Sequence, residues 1–190
     1  MNKDRIIALT DGIVAIAATI MVLELKIPKI ITLDSLLSQI PILYSYIISF
    51  ALIYLSWRSH HNAFEKAEII NSKIFILNGI WLFFITLIPF ATGLIGHAPR
   101  ETLSSAIYSI VLILWILTFQ ILDIEITKIN PEAPADEVRD NKARILLFGS
   151  YISALIVAFI VPVLTVIIIG LNILIMALYK FITSDKEIYT

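Results

Sequence analysis

The sequence predicts an all-α integral membrane protein with six transmembrane helices per subunit. Two observations carry this. Of the 190 residues, 59% are hydrophobic and only 15% are charged, with a mean hydropathy of +0.93; soluble domains average about 25% charged residues. The apolar residues also fall into blocks of membrane length, separated by short polar breaks.

A spanning helix needs about 20 predominantly apolar residues. Residues 5–27, 37–57, 74–96 and 103–124 each supply such a block. The polar stretch 125–144 follows, with two prolines and charges of both signs, and reads as a loop that begins the next helix near Asp136. The last apolar block, 145–182, would be about 57 Å long as one helix at 1.5 Å per residue, nearly twice the hydrocarbon core of about 30 Å. It must fold back, and Pro162 is its strong breaker, because the residue before a proline disfavours helix. This divides the block into helices at 144–160 and 163–182, and residues 1–190 form a single transmembrane domain.

Positive charge orients the bundle. With the N-terminus cytoplasmic, the inner segments hold Lys3, Arg5, Arg58, Lys66, Lys73, Lys128, Arg139, Lys142, Arg144, Lys180 and Lys186; only Lys26, Lys29 and Arg100 of the 14 lysines and arginines lie outside. Six spans with both termini cytoplasmic follow, in a multi-pass protein of the cell membrane. The N-terminal segment does not read as a cleaved signal peptide: its apolar run is too long and carries Asp11. The net charge of −1 gives no sign of a nucleic-acid partner, and the absence of cysteine excludes thiolate metal sites and cysteine nucleophiles. The three histidines build no recognisable metal motif, and no nucleophile elbow or phosphate-cradling glycine loop occurs. An enzyme is not expected.

The first helix is the most informative segment. Ile16, Thr19, Ile20 and Leu23 follow i, i+3, i+4, i+7 spacing and share a stripe. By spacing alone this stripe reads as packing or lipid contact, since every spanning helix has one. Arg5 and Asp11 say more, because ionisable groups at membrane depth are costly and mark function. Six residues apart, they are about 600° around the helix and cannot share a face. Each needs partners from other helices; Trp57, Arg58, His60 and His61, at the same membrane level, are the candidates. The polar residues Asn78, Gln120 and Asn172 read as interhelix hydrogen-bond donors. Asp123 and Glu125 read as solvated charges at a helix end, and Trp57, Trp81, Trp115, Tyr44 and Tyr179 as a source of interfacial anchors.

Arg5-x-x-x-Leu9-Thr10-Asp11-Gly12, continuing as AIAATIMVLE, resembles the prokaryotic branch of the transmembrane protein 175 family of potassium channels. In that family the helix carries R-x-x-x-F-S-D; here Leu9-Thr10 replaces Phe-Ser and keeps the hydroxyl. The resemblance continues in WRSHHNAF (57–64) and in ILNGIWLFFITLIPF (76–90). It implies a homotetramer whose first helices line a central pore. It further implies that Ile16, Ile20 and Leu23 form the constriction and gate, that Thr19 contributes to potassium preference, and that Arg5, Thr10, Asp11, Trp57, His60, His61 and Asn78 form a supporting polar network, with the two histidines left undistinguished. No cofactor is implied beyond the permeant potassium ion; the partners are the lipid bilayer and monovalent cations. The sequence has no TVGYG-type carbonyl filter. Glu24 reads either as an outer-mouth ring of carboxylates or as a solvated helix-end charge paired with Lys26 or Lys29.

The expected function is therefore a potassium-permeable cation channel with a hydrophobic constriction. The alternative is a proton-coupled transporter of small solutes or ions using Asp11, His60 and His61 as a relay; against it, the middle third of every predicted span lacks an acidic or basic side chain.

Overall fold

The computed structural model of the chain describes residues 2–65, 67–132 and 141–187, without the side chains of 141–144, 146 and 176–187. Among the described residues it is all-helical. Helix α1 (Lys3–Ile20) continues into a 3-10 turn over Met21–Glu24; then follow a short α2 (Leu33–Leu37), α3 (Ile40–Glu65), α4 (Ser72–His97), α5 (Thr102–Ile129), α6 (Asn141–Ala158) and α7 (Leu164–Glu187). Four segments, Lys3–Glu24, Leu33–Glu65, Ser72–His97 and Thr102–Ile129, are long and apolar enough to cross a membrane. Within α6 and α7 the shorter apolar stretches Leu147–Ala158 and Leu164–Ile175 form the fold-back, with the chain turning around Pro162.

Helix α4 is central. It packs on α5, α3 and α1, and the α6–α7 hairpin closes against α5 and α3. The main core gathers Val14 and Ala17 of α1 and Met21 of the 3-10 turn with Ile85 and Ile88 of α4, Leu112 and Trp115 of α5, and Tyr151 of α6. A second cluster lies toward the N-terminal end of α1, where Ile6 meets Phe64, Ile74 and Ile126. Side chains close the helix ends there. Asn2 accepts from the Asp4 N–H at 2.8 Å, and Asn71 accepts from the Ile74 N–H. The Asn130 carboxamide accepts from the Glu68 and Ile69 N–H groups and donates to the Ile69 carbonyl, pinning the α3–α4 connection to the end of α5.

The helices depart from the sequence expectation in four places. The first helix is expected over 5–27, but its α-helical part ends at Ile20 and tightens into the 3-10 turn; Leu25 then leaves helix at φ −77°, ψ 90°. Pro28 disfavours helix at Ile27, and the two segments together still reach about 35 Å. Helix α3, expected to stop at 57, runs to Glu65 because residues 58–65 hold no proline or glycine, while Ala63 and Phe64 give the extension a buried face. Helix α5 likewise passes 124, burying Ile126, so Asp123 and Glu125 are buried rather than solvated. Glu125 takes an ion pair from Lys73 at 2.6 Å. Helix α2 is an addition, started by a capping box between Thr32 and Ser35. The expected helix start near Asp136 and the Tyr179 side chain lie outside the described residues.

Trp81 and Trp115 are fully buried in the core instead of anchoring at an interface, because each faces other helices at mid-bundle. Among the described residues their indole N–H groups find no hydrogen-bond partner.

Candidate functional site

Helix α1 has two faces of opposite character. Ile6, Thr10, Val14, Ala17 and Met21, spaced by three or four residues, are buried against α3, α4 and the core. The opposite face leaves Ile16 58% exposed, Ile20 46% and Leu23 70%, with Thr19 exposed between them. The Thr19 hydroxyl lies 2.9 Å from the Ala15 carbonyl and 3.0 Å from that of Ile16. Its proton is therefore turned back into the helix, and its lone pairs point away. A stripe of large aliphatics around one outward-facing hydroxyl oxygen is thus held out of the protomer core.

The buried face is fixed by polar contacts. The Asn78 amide donates to the Thr10 hydroxyl at 3.0 Å, and its carbonyl oxygen lies 2.8 Å from His60 Nε2. All three residues are buried. His60 is sandwiched by rings: Phe64 stacks at 4.3 Å and Trp81 at 4.7 Å between centroids. A chain α1–α4–α3 thus runs through one hydroxyl, one carboxamide and one imidazole, with each group partnered as burial demands. Beside it, the Trp57 indole N–H donates to Asp11 Oδ1 at 2.8 Å. Asp11 itself is exposed, as the carboxylate lies on the side of α1 next to the aliphatic stripe.

The expected network is therefore brought together only in part. His60 joins it; His61 is exposed, with its ring 5.8 Å from that of Trp57. Both follow from α3 remaining helical: consecutive residues are about 100° apart, so one histidine faces the core and the other leaves it. Arg5 and Arg58 are exposed, and neither has an ion-pair partner within the protomer among the described residues. Lys3 instead ties the start of α1 to the end of α3 through the Glu65 carbonyl at 3.1 Å.

At the far end of α1, Glu24 turns sideways onto α4. Its carboxylate lies 3.5 Å from His97 Nε2, and it occupies a notch at Gly93, where an added Cβ would stand 2.6 Å from Glu24 Oε2. The expected pairing with Lys26 or Lys29 is not formed, because the 3-10 turn rotates Glu24 toward α4.

Sequence reasoning missed a second buried polar line. The Thr92 hydroxyl lies 2.7 Å from Ser49 Oγ, which lies 2.8 Å from the Tyr108 hydroxyl; all three residues are fully buried. It ties α4, α3 and α5 together. The only sequence signal is the presence of three hydroxyls in apolar runs, which is common in spanning helices. Between α1 and α3 a groove of about 370 Å³ is lined by Asp11, Ala15, Ala18, Phe50, Tyr54 and Trp57, among others. Among the described residues, no three acidic or histidine side chains converge to hold a metal.

Known proteins are similar to this chain in sequence and fold. The family described as "Endosomal/lysosomal potassium channel TMEM175" matches residues 5–89. A protein of Streptomyces collinus named as a potassium channel is 30% identical over 160 residues, covering 77% of this chain and 78% of that protein. One of a Chryseobacterium species, named likewise, is 37% identical over 123 residues, covering 65% of this chain and 64% of that relative's length. The crystal structure of a TMEM175 homolog from Chamaesiphon minutus, titled a lysosomal potassium-selective channel, superposes with a TM-score of 0.79 at 27% identity, covering 93% of this chain and 97% of that one. Vertebrate relatives named as proton channels, including the human one, are matched over only 22% to 28% of their own length.

Proposed function

Because this chain belongs to the TMEM175 family, we propose that it is a potassium-permeable cation channel of the cell membrane, built as a homotetramer with both termini cytoplasmic. The observation that carries the reading is the two-faced α1: the same helix that is bolted to α3 and α4 through Thr10, Asn78 and His60 leaves Ile16, Thr19, Ile20 and Leu23 outside the protomer core. In a fourfold assembly these residues make successive rings about the axis. Narrow aliphatic rings hold back ions by dewetting, and a small outward movement of α1 wets them.

Thr19 gives the path its one hydroxyl ring. With each proton directed to a carbonyl of its own helix, four lone-pair-bearing oxygens face a passing cation and replace part of its hydration shell. Neutral hydroxyls bind cations weakly, so preference for potassium over sodium is modest. Asp11, held by Trp57 on the side of the N-terminal mouth, supplies negative charge that raises the local cation concentration. The polar network makes α1 a rigid stave whose rotation is set by α3 and α4. The six-span subunit, residues 1–190, acts as a single domain.

Reconstitution in liposomes tests this. Under a potassium gradient, the protein should pass potassium faster than sodium, exclude a large organic cation, and need no proton gradient. A second reading, proton-coupled transport, draws on the proton-channel names of the vertebrate relatives and on Asp11 and His60. Flux that appears only with a proton gradient would favour it and overturn the channel.

A further inference from the structure

The connection between α1 and α3 exposes a run of large aliphatic side chains. Ile27 is 86% exposed, and Ile30, Ile31, Leu33, Leu36 and Leu37 are each at least half exposed. Contiguous exposed patches of this kind mark an interaction surface. The segment runs from Glu24, the end of one candidate membrane-crossing segment, into the start of the next, which begins with α2 at Leu33 and continues as α3 from Ile40, so it lies at the membrane boundary. Its short helix α2 has at most weak packing against the other described helices.

Its shape is that of an interfacial element. Within α2, Leu33, Leu36 and Leu37 share one side at i, i+3, i+4 spacing, and Asp34 and Ser38 take the other. The irregular backbone is partly satisfied internally. Thr32 and Ser35 cap each other, and the Ser35 hydroxyl reaches the Ile30 carbonyl at 2.8 Å. That lowers the cost of seating such a segment beside hydrocarbon. Just before α2 stand Lys26 and Lys29, both exposed and without an acidic partner among the described residues. Two cations beside an apolar face, at headgroup height, match the phosphate and acyl layers of a leaflet. The apolar surface continues directly into the outward-facing Ile40, Leu43 and Ile47 of α3.

We infer that residues 25–40 form a lipid-binding strap, lying in the interfacial layer of the leaflet opposite the N-terminus. Its aliphatic side is in the acyl boundary, and Lys26 and Lys29 hold anionic phospholipid phosphates. The strap does not depend on ion conduction, but it tethers the far end of α1 to the bilayer.

The chain has no cysteine, so single-cysteine spin labels report cleanly. In phosphatidylcholine–phosphatidylglycerol vesicles, a label on Ile31→Cys should be reached by oxygen several-fold better than by a water-soluble nickel chelate, and a label on Asp34→Cys should show the reverse. A label at Ile31 open to nickel would place the strap in water; a label shielded from both reagents would mean that another copy of the chain covers it. Either result overturns the proposal. For the lysines, spin-labelled phosphatidylglycerol should be retained by the protein in preference to phosphatidylcholine. Lys26→Gln with Lys29→Gln should abolish that preference; an unchanged preference would overturn the phosphate contact.

Discussion

Asn78 reaches Thr10 at 3.0 Å across 68 residues of chain, and its carboxamide is the bridge by which the buried His60 on α3 sets the rotation of α1. Small polar contacts between spanning helices are worth about 0.6–1.7 kcal/mol each. Their value here lies in geometry. They decide which side of α1 faces its neighbours and which is left for the stripe of Ile16, Thr19, Ile20 and Leu23.

A double-mutant cycle with Thr10→Val and Asn78→Ala checks this bridge. Each single change should destabilise the protein, by about 1–3 kcal/mol for Asn78→Ala, which strands His60. The pair should show a coupling of about 0.6–1.7 kcal/mol, measured by unfolding in mixed detergent micelles. Zero coupling would mean that the two side chains do not depend on each other.

Gly93 and Gly96 should respond differently to alanine. The nearest atoms to a Cβ at Gly93 belong to the flexible Glu24 side chain, whereas one at Gly96 would stand 2.8 Å from the Ile42 backbone Cα. Gly96→Ala should therefore push α3 from α4 and cost about 1–3 kcal/mol, the range for overpacking. Gly93→Ala should cost less and move Glu24 away from His97. Thermal unfolding of both variants tests the order.

The Lys73–Glu125 pair should be asymmetric. The Lys73 side chain is 61% exposed and that of Glu125 only 10%. Lys73→Met leaves a buried carboxylate without its cation, while Glu125→Gln leaves an ammonium group that water can solvate. Lys73→Met should lower the unfolding temperature more; the reverse order would contradict the burial argument.

The fold was legible because its signals are long-range in the chain and simple in kind. Apolar blocks announce the spanning helices, and Pro162 announces the fold-back. The α1 stripe was visible as spacing, but spacing cannot tell a lipid-facing row from a pore wall; the family motifs around Arg5, Asp11 and His60 made that distinction an expectation. Partnerships were harder. Trp57 lies 46 residues from Asp11, and which of His60 and His61 turns inward depends on α3 staying helical past 57, where polarity suggested a loop. Glu24 turns to His97 because of a 3-10 turn that no periodicity reveals. Asp123 and Glu125 looked solvated because burial of a charge depends on a partner elsewhere in the chain, here Lys73 for Glu125.

Thr19→Val should keep the tetramer and the flux but bring potassium and sodium permeation closer together, because a methyl replaces the only hydroxyl of the stripe. Reversal potentials in planar bilayers measure this. An unchanged ratio would remove Thr19 from the selectivity of the path.

The central claim is that the exposed stripe of α1 lines the ion path, and single cysteines in this naturally cysteine-free chain test it most directly. A charged, water-soluble thiol reagent should block potassium flux through Leu23→Cys and Thr19→Cys and leave Val14→Cys and Ala17→Cys, on the buried face, untouched. Block at the buried positions, or full conduction after labelling of Leu23 and Thr19, would contradict the account.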